Sequence, residues 1–196
     1  PGPIHVEGEF VYDDRGDILT GADRFLVQLL PYSNPDPENP LDEDITDSSG
    51  HFELDTYGNP GFYQVVVYTY AGHGDDEVMV VEYGGDSWQN SYQRVRSPFL
   101  GIGFNDLNEY KFPEQSDIQK ASWIKKDLQD SYDFACTLTP SGACDLKAKW
   151  PDDCAGILDN CCYWFCITGC TEDFIYILSS YENSRDVIIH ETGHAV

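Results

Sequence analysis

At 196 residues the chain has room for one large domain or two small ones, and its 41% hydrophobic and 14% aromatic content can fill a proper core. Thirty-five acidic residues against eleven basic give a formal charge of −24, which excludes general affinity for nucleic acid or anionic lipid because such a field repels phosphate. No run of about 18 apolar residues occurs, so no membrane span is expected. The chain opens Pro1-Gly2-Pro3 without a charged-then-apolar leader, so any secretory signal is expected to have been removed.

Charge and cysteine content divide the chain. Residues 1–110 hold 21 acidic and 4 basic residues, a net of −17, while residues 111–196 hold 14 and 7, a net of −7. All seven cysteines fall between Cys136 and Cys170. The expected organisation is a domain over 1–110 and a second over 111–196, with the boundary near Phe104 to Pro113 and a disulfide-rich insert at 136–170.

The first part reads as strands. Ile4 to Tyr12 alternates through Val6, Gly8 and Phe10, then turns at Asp13-Asp14-Arg15-Gly16-Asp17. Phe25 to Leu30 is a second strand, and the Pro/Asn/Asp-rich segment 31–44 is a long loop. Ile45-Thr46 leads into a turn at Asp47-Ser48-Ser49-Gly50 and a short strand, His51 to Leu54. Tyr57 to Gly61 turns again into the strand Phe62 to Tyr70, followed by strands at Val78 to Tyr83 and Tyr92 to Phe99. Short strands at this spacing, separated by turn signals, predict an all-β antiparallel sandwich.

The pattern Val6-x-Gly8-x-Phe10, Asp14-x-Gly16, Gly21-Ala22, Val27-x-Leu29, Thr46-Asp47-x-x-Gly50-x-Phe52 and Gly61-x-Tyr63-x-Val65-x-Val67 resembles the transthyretin-like, carboxypeptidase-regulatory-like sandwich. The resemblance covers about the first hundred residues. It implies a folding or recognition module that accompanies secreted peptidases and adhesins and carries no chemistry of its own.

Two features of this part bear on binding. The acidic loop carries Asp36, Glu38, Asp42, Glu43, Asp44 and Asp47, oxygen donors of the kind Ca²⁺ takes. It lacks the register of an EF-hand, and Pro31, Pro35, Pro37 and Pro40 stiffen it, so a solvated loop is the expectation and Ca²⁺ the secondary reading. His51 and His73 have no companion histidine nearby and read as lone surface or turn residues.

The second part changes character. Ser116 and Gln119 form a capping box that opens a helix to about Tyr132, with Ile118, Ala121, Ile124 or Lys125, Leu128 and Tyr132 in helical period and Trp123 flanking that face. Asp145 to Trp150 alternates as a strand, and Phe174 to Leu178 reads as a more buried one. The segment ends on Asp186-Val187-Ile188-Ile189-His190-Glu191-Thr192-Gly193-His194-Ala195-Val196. Asn183 or Ser184 can cap this helix, with Asp186 in capping-box register to Asn183.

In His190-Glu191-x-x-His194 the histidines stand four apart, so on a helix they share one face. That spacing lets two imidazoles reach one Zn²⁺ at about 2.0–2.1 Å, with Glu191 placed to act on a metal-bound water. The competing reading, a surface helix with two histidines, fits poorly with the apolar lead-in Val187-Ile188-Ile189. Helix, strand, cysteine-rich insert, strand and motif helix is an order that resembles the upper half of a secreted zincin metallopeptidase. The resemblance covers 114–196 and predicts an α+β, partial zincin-like domain behind the sandwich. It implies that His190 and His194 are zinc ligands and Glu191 the general base, acting on water whose pKa the metal lowers. The third ligand is not assigned: a Glu further on would make a gluzincin, a His in His-x-x-Gly-x-x-His a metzincin, and the gluzincin pattern is slightly preferred. In zincins the strand before the active helix commonly lies near the cleft edge, where a peptide substrate can add as a further strand.

Cys136, Cys144, Cys154, Cys161, Cys162, Cys166 and Cys170 include no Cys-x-x-Cys pair, so disulfides in an oxidising compartment are expected over a second zinc site. Their pairing stays open, and the odd one predicts a partner further along the chain or on another chain. The expected function is therefore an extracellular zinc-dependent peptidase, an endopeptidase cut short after its metal-binding helix. Two other readings stand beside it: a non-catalytic structural or fibril subunit assembling through sandwich edges and interchain disulfides, and a cell-surface binding module. No Asn-x-Ser/Thr sequon occurs, so N-glycosylation is not expected.

Overall fold

Strand β1 spans thirteen residues, Gly2–Asp14, and buries Ile4, Val6, Gly8, Phe10 and Tyr12 while its odd positions His5, Glu7 and Glu9 face the other side. This is the period-two pattern of a half-buried strand. The computed structural model describes the chain except for residues 17, 74–75, 83–84, 86, 139–145, 153–161, 164–173, 179–182 and 193–196. In chain order β2 (Ile18–Gly21), β3 (Leu26–Pro31), β4 (Asp42–Ile45), β5 (His51–Gly58), β6 (Gly61–Tyr68), β7 (Tyr70–His73) and β8 (Asp76–Val81) follow β1. A short 3-10 turn at Trp88–Asn90 precedes β9 (Gln93–Arg96), β10 (Phe99–Leu100) and β11 (Gly103–Lys111). Helix α1 (Asp117–Leu138), β12 (Leu146–Asp152), β13 (Cys162–Tyr163), β14 (Phe174–Leu178) and α2 (Arg185–Thr192) complete the described elements, and strand dominates.

The chain groups into two compact units, 1–68 with 93–119 and 69–92 with 120–196. This differs from a single cut near residue 110. Residues 69–92 leave the first unit between β6 and β9, which pair with each other from Tyr68↔Gln93 to Val65↔Arg96 and so close the first unit behind them. The proposed boundary segment 104–113 is itself largely strand β11.

The first unit is a sandwich-like pair of sheets. In one, β1 pairs antiparallel with β5 and β2 along one edge and parallel with β11 along the other. The parallel β1–β11 pair corrects the all-antiparallel expectation. In the other sheet β6 joins β3, then β4, on one side and β9 with β10 on the other. Their buried faces carry Ile4, Val6, Phe10, Phe52, Leu54, Val27, Leu29, Val65 and Val67. Phe10 stacks on Phe52 with ring centroids 5.2 Å apart, and Phe112 tilts against Phe10 at 5.9 Å and Phe25 at 6.5 Å. Such aromatic pairs add to the apolar burial that holds the layers.

Several details depart from the sequence reading. Asp42–Asp44, placed in the long loop 31–44, belong to strand β4, and Ile18–Gly21 forms strand β2 where none was expected. Strand β5 runs through Gly58 where a turn from Tyr57 was expected, because its backbone stays in register with β1 as far as Gly2↔Gly58. Strand β11 shows almost no apolar alternation, and what recruits it is the open hydrogen-bonding edge of β1. A bulge sits where Asn108 adopts φ 56°, a conformation asparagine tolerates, with its N–H on Asp106 Oδ1 at 2.7 Å.

The turn before β5 is tightly specified. Asp47 accepts hydrogen bonds from Ser49 N–H (2.8 Å), Ser49 Oγ (2.7 Å) and His51 N–H (3.1 Å). Gly50 has φ +87°, and a Cβ there would lie 2.0 Å from the Phe10 carbonyl oxygen, so no other residue fits.

The second unit is a five-stranded sheet in the order β13-β14-β12-β8-β7, with β8, β12 and β14 parallel and both edge strands antiparallel. Val78, Met79, Val80 and Val81 are all buried, as are Leu146, Ala148, Trp150 and Ile177. A strand covered on both faces has no position left for a polar residue, which explains the consecutive apolar run. Helix α1 opens as its capping box predicts, Ser116 Oγ accepting from Gln119 N–H at 3.4 Å. The Gln119 side chain, however, reaches back to Gln115 N–H at 2.6 Å rather than to Ser116. The helix continues past Tyr132 to Leu138.

Candidate functional site

Helix α2 begins one residue after Ser184, whose carbonyl accepts the first helical hydrogen bond from Ile188 N–H at 3.1 Å. Ser184 therefore occupies the N-cap position, and Asp186 lies in the first turn, where a carboxylate is favoured by the helix dipole. Ile188 is fully buried while Arg185 and Asp186 are exposed, so one face of the helix is seated and its start is wet.

That start is tied to α1. Arg185 Nη2 donates to Asp130 Oδ2 at 3.0 Å, and its Nε lies 3.5 Å from Asp127 Oδ1. Lys126 Nζ reaches the same Asp130 oxygen at 2.8 Å. The Asp127 side chain is only 2% exposed; a carboxylate buried to that degree requires charged or hydrogen-bonding partners. Arg185 supplies one, and the pair orients the first turn of α2 on α1.

His190 and Glu191 lie on α2, directly after β14 and the intervening residues 179–184. His194 lies outside the described residues. Of the cysteines, Cys136 falls on α1 and Cys162 on β13, while Cys144, Cys154, Cys161, Cys166 and Cys170 lie outside the described residues, as does the pairing of the sulfurs.

A second constellation stands on the outer face of the first unit, and the sequence reading missed it. His51 is not a lone histidine. One ligand atom from each of Glu7, His51 and Glu53 falls within 4.8 Å of the other two. Glu7 and Glu53 are directly opposed across the β1–β5 pair, and Glu9 stands opposite His51. His51 Nε2 and Glu53 Oε1 are 3.3 Å apart. The backbone beneath is pinned: Glu53 N–H donates to Asp44 Oδ2 at 2.8 Å, and His51 N–H donates to Asp47. The signal was present in sequence as Glu7-x-Glu9 and His51-x-Glu53, alternate residues that share a strand face, but the register joining them was not.

The loop acids are largely engaged within the chain. Asp36 accepts from Glu38 N–H and from the Asn39 amide, Asp42 from Asp55 N–H at 2.6 Å, and Glu43 from the buried Gln28 amide. His5 pairs with Asp55 at 2.9 Å on the same sheet face. The hydrogen bonds from Ser49, above all from its hydroxyl, hold the Asp47 carboxyl below its ordinary value, and His51 contributes in the same direction.

No protein-family model matches the chain, and no curated protein matches it. Among solved structures it is similar to a 9R-lipoxygenase from Cyanothece PCC8801, at 13% identity over 71% of this chain and 25% of that one, with a TM-score of 0.30. A putative carbohydrate binding protein from Pseudomonas aeruginosa aligns at 14% identity over 55% of this chain and 88% of its own, TM-score 0.30. A DUF3823 family protein from Parabacteroides merdae aligns at 16% identity over 56% and 44%, TM-score 0.28. The chain thus spans a quarter of the lipoxygenase it matches.

Proposed function

We propose that this chain belongs to an extracellular zinc-dependent peptidase of the zincin type, with a transthyretin-like sandwich ahead of the catalytic region. The observation that carries the reading is the placement of His190 and Glu191 on a helix that follows strand β14, itself flanked by parallel β12 and the short antiparallel edge strand β13. Supporting it is the element order α1, β12, β13, β14, α2, which agrees with the order implied by the resemblance. The cysteine-rich stretch between β12 and β14 fits an oxidising, extracellular setting.

The donor chemistry fits the metal: two imidazoles four residues apart, with a carboxylate beside the first, suit Zn²⁺. His190 and His194 would hold it, and when bound it supplies a Lewis acid and an acidified water. Glu191 would serve as the general base and acid, accepting a proton from the attacking water and returning it to the leaving amine. Arg185, through Asp127 and Asp130, fixes the start of the helix that carries these groups. β14, the strand before the motif helix, is paired on both sides, by β12 and β13, so a peptide adding to this end of the sheet would have to pair with β13.

Protein extended far enough to supply a third ligand should carry zinc and cleave an unfolded polypeptide, and in it Glu191→Ala should lower cleavage by about 100-fold or more while zinc content and circular dichroism stay unchanged. Undiminished cleavage by Glu191→Ala, or cleavage that survives complete removal of zinc, would rule the reading out.

A further inference from the structure

We infer that Glu7, His51 and Glu53 form a second metal site, on the face of the sandwich, that takes a divalent first-row transition cation of the zinc type. It is independent of the proposed peptidase motif, since all three residues lie in the first unit and His190 to His194 in the second.

Three observations lead there. The first is geometry. Two ligand atoms each about 2.0–2.2 Å from a tetrahedral Zn²⁺ stand about 3.4 Å apart, and His51 Nε2 lies 3.3 Å from Glu53 Oε1. A Glu7 oxygen completes a triangle with no edge beyond 4.8 Å, which small side-chain rotations contract. Three protein ligands leave the fourth position to water, as in open zinc sites.

The second is charge. Like charges placed directly opposite on paired strands destabilise a sheet, yet Glu7 and Glu53 are register partners. Among the described residues no Lys or Arg pairs with either; Glu53 meets only His51. A cation seated between them removes the repulsion, in a chain whose net charge of −24 raises the local concentration of cations.

The third is rigidity. All three residues stand on strands rather than loops, and the backbones of His51 and Glu53 are held by Asp47 and Asp44. Ligands placed this way lose little freedom on binding. The imidazole selects the metal: Ca²⁺ prefers oxygen donors throughout, whereas an imidazole with two carboxylates suits Zn²⁺ and its neighbours.

The test is Zn²⁺ titration by calorimetry of the full chain under non-reducing conditions, in a His190→Ala/His194→Ala background that removes the motif ligands. One equivalent of Zn²⁺ should still bind. His51→Ala should abolish that equivalent, and Glu7→Gln or Glu53→Gln should each weaken it at least tenfold. Should His51→Ala prove misfolded by circular dichroism, the two Glu→Gln variants and His51→Gln, which keep the strand hydrogen bonds, decide instead. Zn²⁺ binding unaffected by these changes overturns the assignment, as does no Zn²⁺ binding in the His190→Ala/His194→Ala background. Ca²⁺ binding that equals Zn²⁺ and persists in His51→Ala overturns the choice of metal. Loss of peptidase activity alone leaves this result standing, and its failure leaves the motif untouched.

Discussion

Strands β1 and β8 sit in different units and bury their residues by different rules. In β1 the inward positions Ile4, Val6 and Phe10 alternate with His5, Glu7 and Glu9 on a wet face. In β8 four successive residues, Val78 to Val81, are buried. The first sheet keeps one solvated face and therefore has somewhere to put chemistry on its strands. In the second unit β8 is buried at four successive positions while β12 alternates, Lys147 and Lys149 standing between buried Leu146, Ala148 and Trp150, and the candidate catalytic residues ride on a helix that follows the sheet. β3 shows that continuous burial reports two covered faces rather than parallel pairing as such. It is antiparallel yet buried from Leu26 to Leu30, with Gln28 donating to the Pro37 carbonyl of the loop that lies over it.

Lysine substitutions at neighbouring positions test this contrast and carry the largest effects. In β1, Val6→Lys should cost more than about 4 kcal/mol while Glu7→Lys stays within about 0.5. In β8, Met79→Lys and Val80→Lys should both be severe. Urea denaturation reads the second unit through tryptophan fluorescence, since Trp88, Trp123, Trp150 and Trp164 all belong to it. Hydrogen exchange at β1–β5 amides reads the first. A tolerant position in β8 would break the comparison.

Next in size is Arg185→Ala, which leaves the buried Asp127 carboxylate short of a partner. A loss of about 1–2 kcal/mol is expected, limited because Arg185 is itself half exposed. If the Arg185–Asp127 pair holds the start of α2, Arg185→Lys should recover part of the stability lost in Arg185→Ala.

Two further changes are legible only as pH dependence. Burial pushes the Tyr68 hydroxyl up to about 12. An unfolded tyrosine titrates near 10, so the stability contributed by the neutral phenol is whole below about pH 10 and is lost as pH rises to about 12. Tyr68→Phe should flatten that alkaline limb in a series of thermal melts. For Asp47 the sign reverses. Its depressed carboxyl stabilises the turn at neutral pH and ceases to as pH falls through the folded-state value, below the ordinary 3.8. Asp47→Asn should therefore melt slightly lower than the parent at pH 7, and the gap should close in acid.

Local signals carried much of the architecture. The alternation from Ile4 to Tyr12, the capping residues Ser116 and Gln119, and the apolar run Phe174 to Leu178 each mark their element, with β14 spanning those same residues. Such signals work because a strand face or a helix cap is decided by residues a few positions apart. Strand β11 escaped them: its Phe104, Leu107 and Tyr110 stand three apart rather than alternating, and pairing with the edge of β1 makes it a strand. Residues 69–92 escaped them as well. The consecutive Val78 to Val81 already departed from the alternation around it, but its meaning lay in pairing with β12, nearly seventy residues along the chain.

By itself the sequence determined the alternation of β1, the start of α1, the span of β14, the tight turn at Gly50, the net charge and the His190-Glu191-x-x-His194 motif, all matters of residue type and short spacing. The tertiary structure alone decided which strands meet. It set β11 parallel to β1, carried β8 into the second sheet, joined Arg185 to Asp127, and brought Glu7 to His51 and Glu53. The reason is that strand pairing is made by backbone groups common to every residue. Partner and register are therefore chosen by the packing of the whole sheet, not written in either strand.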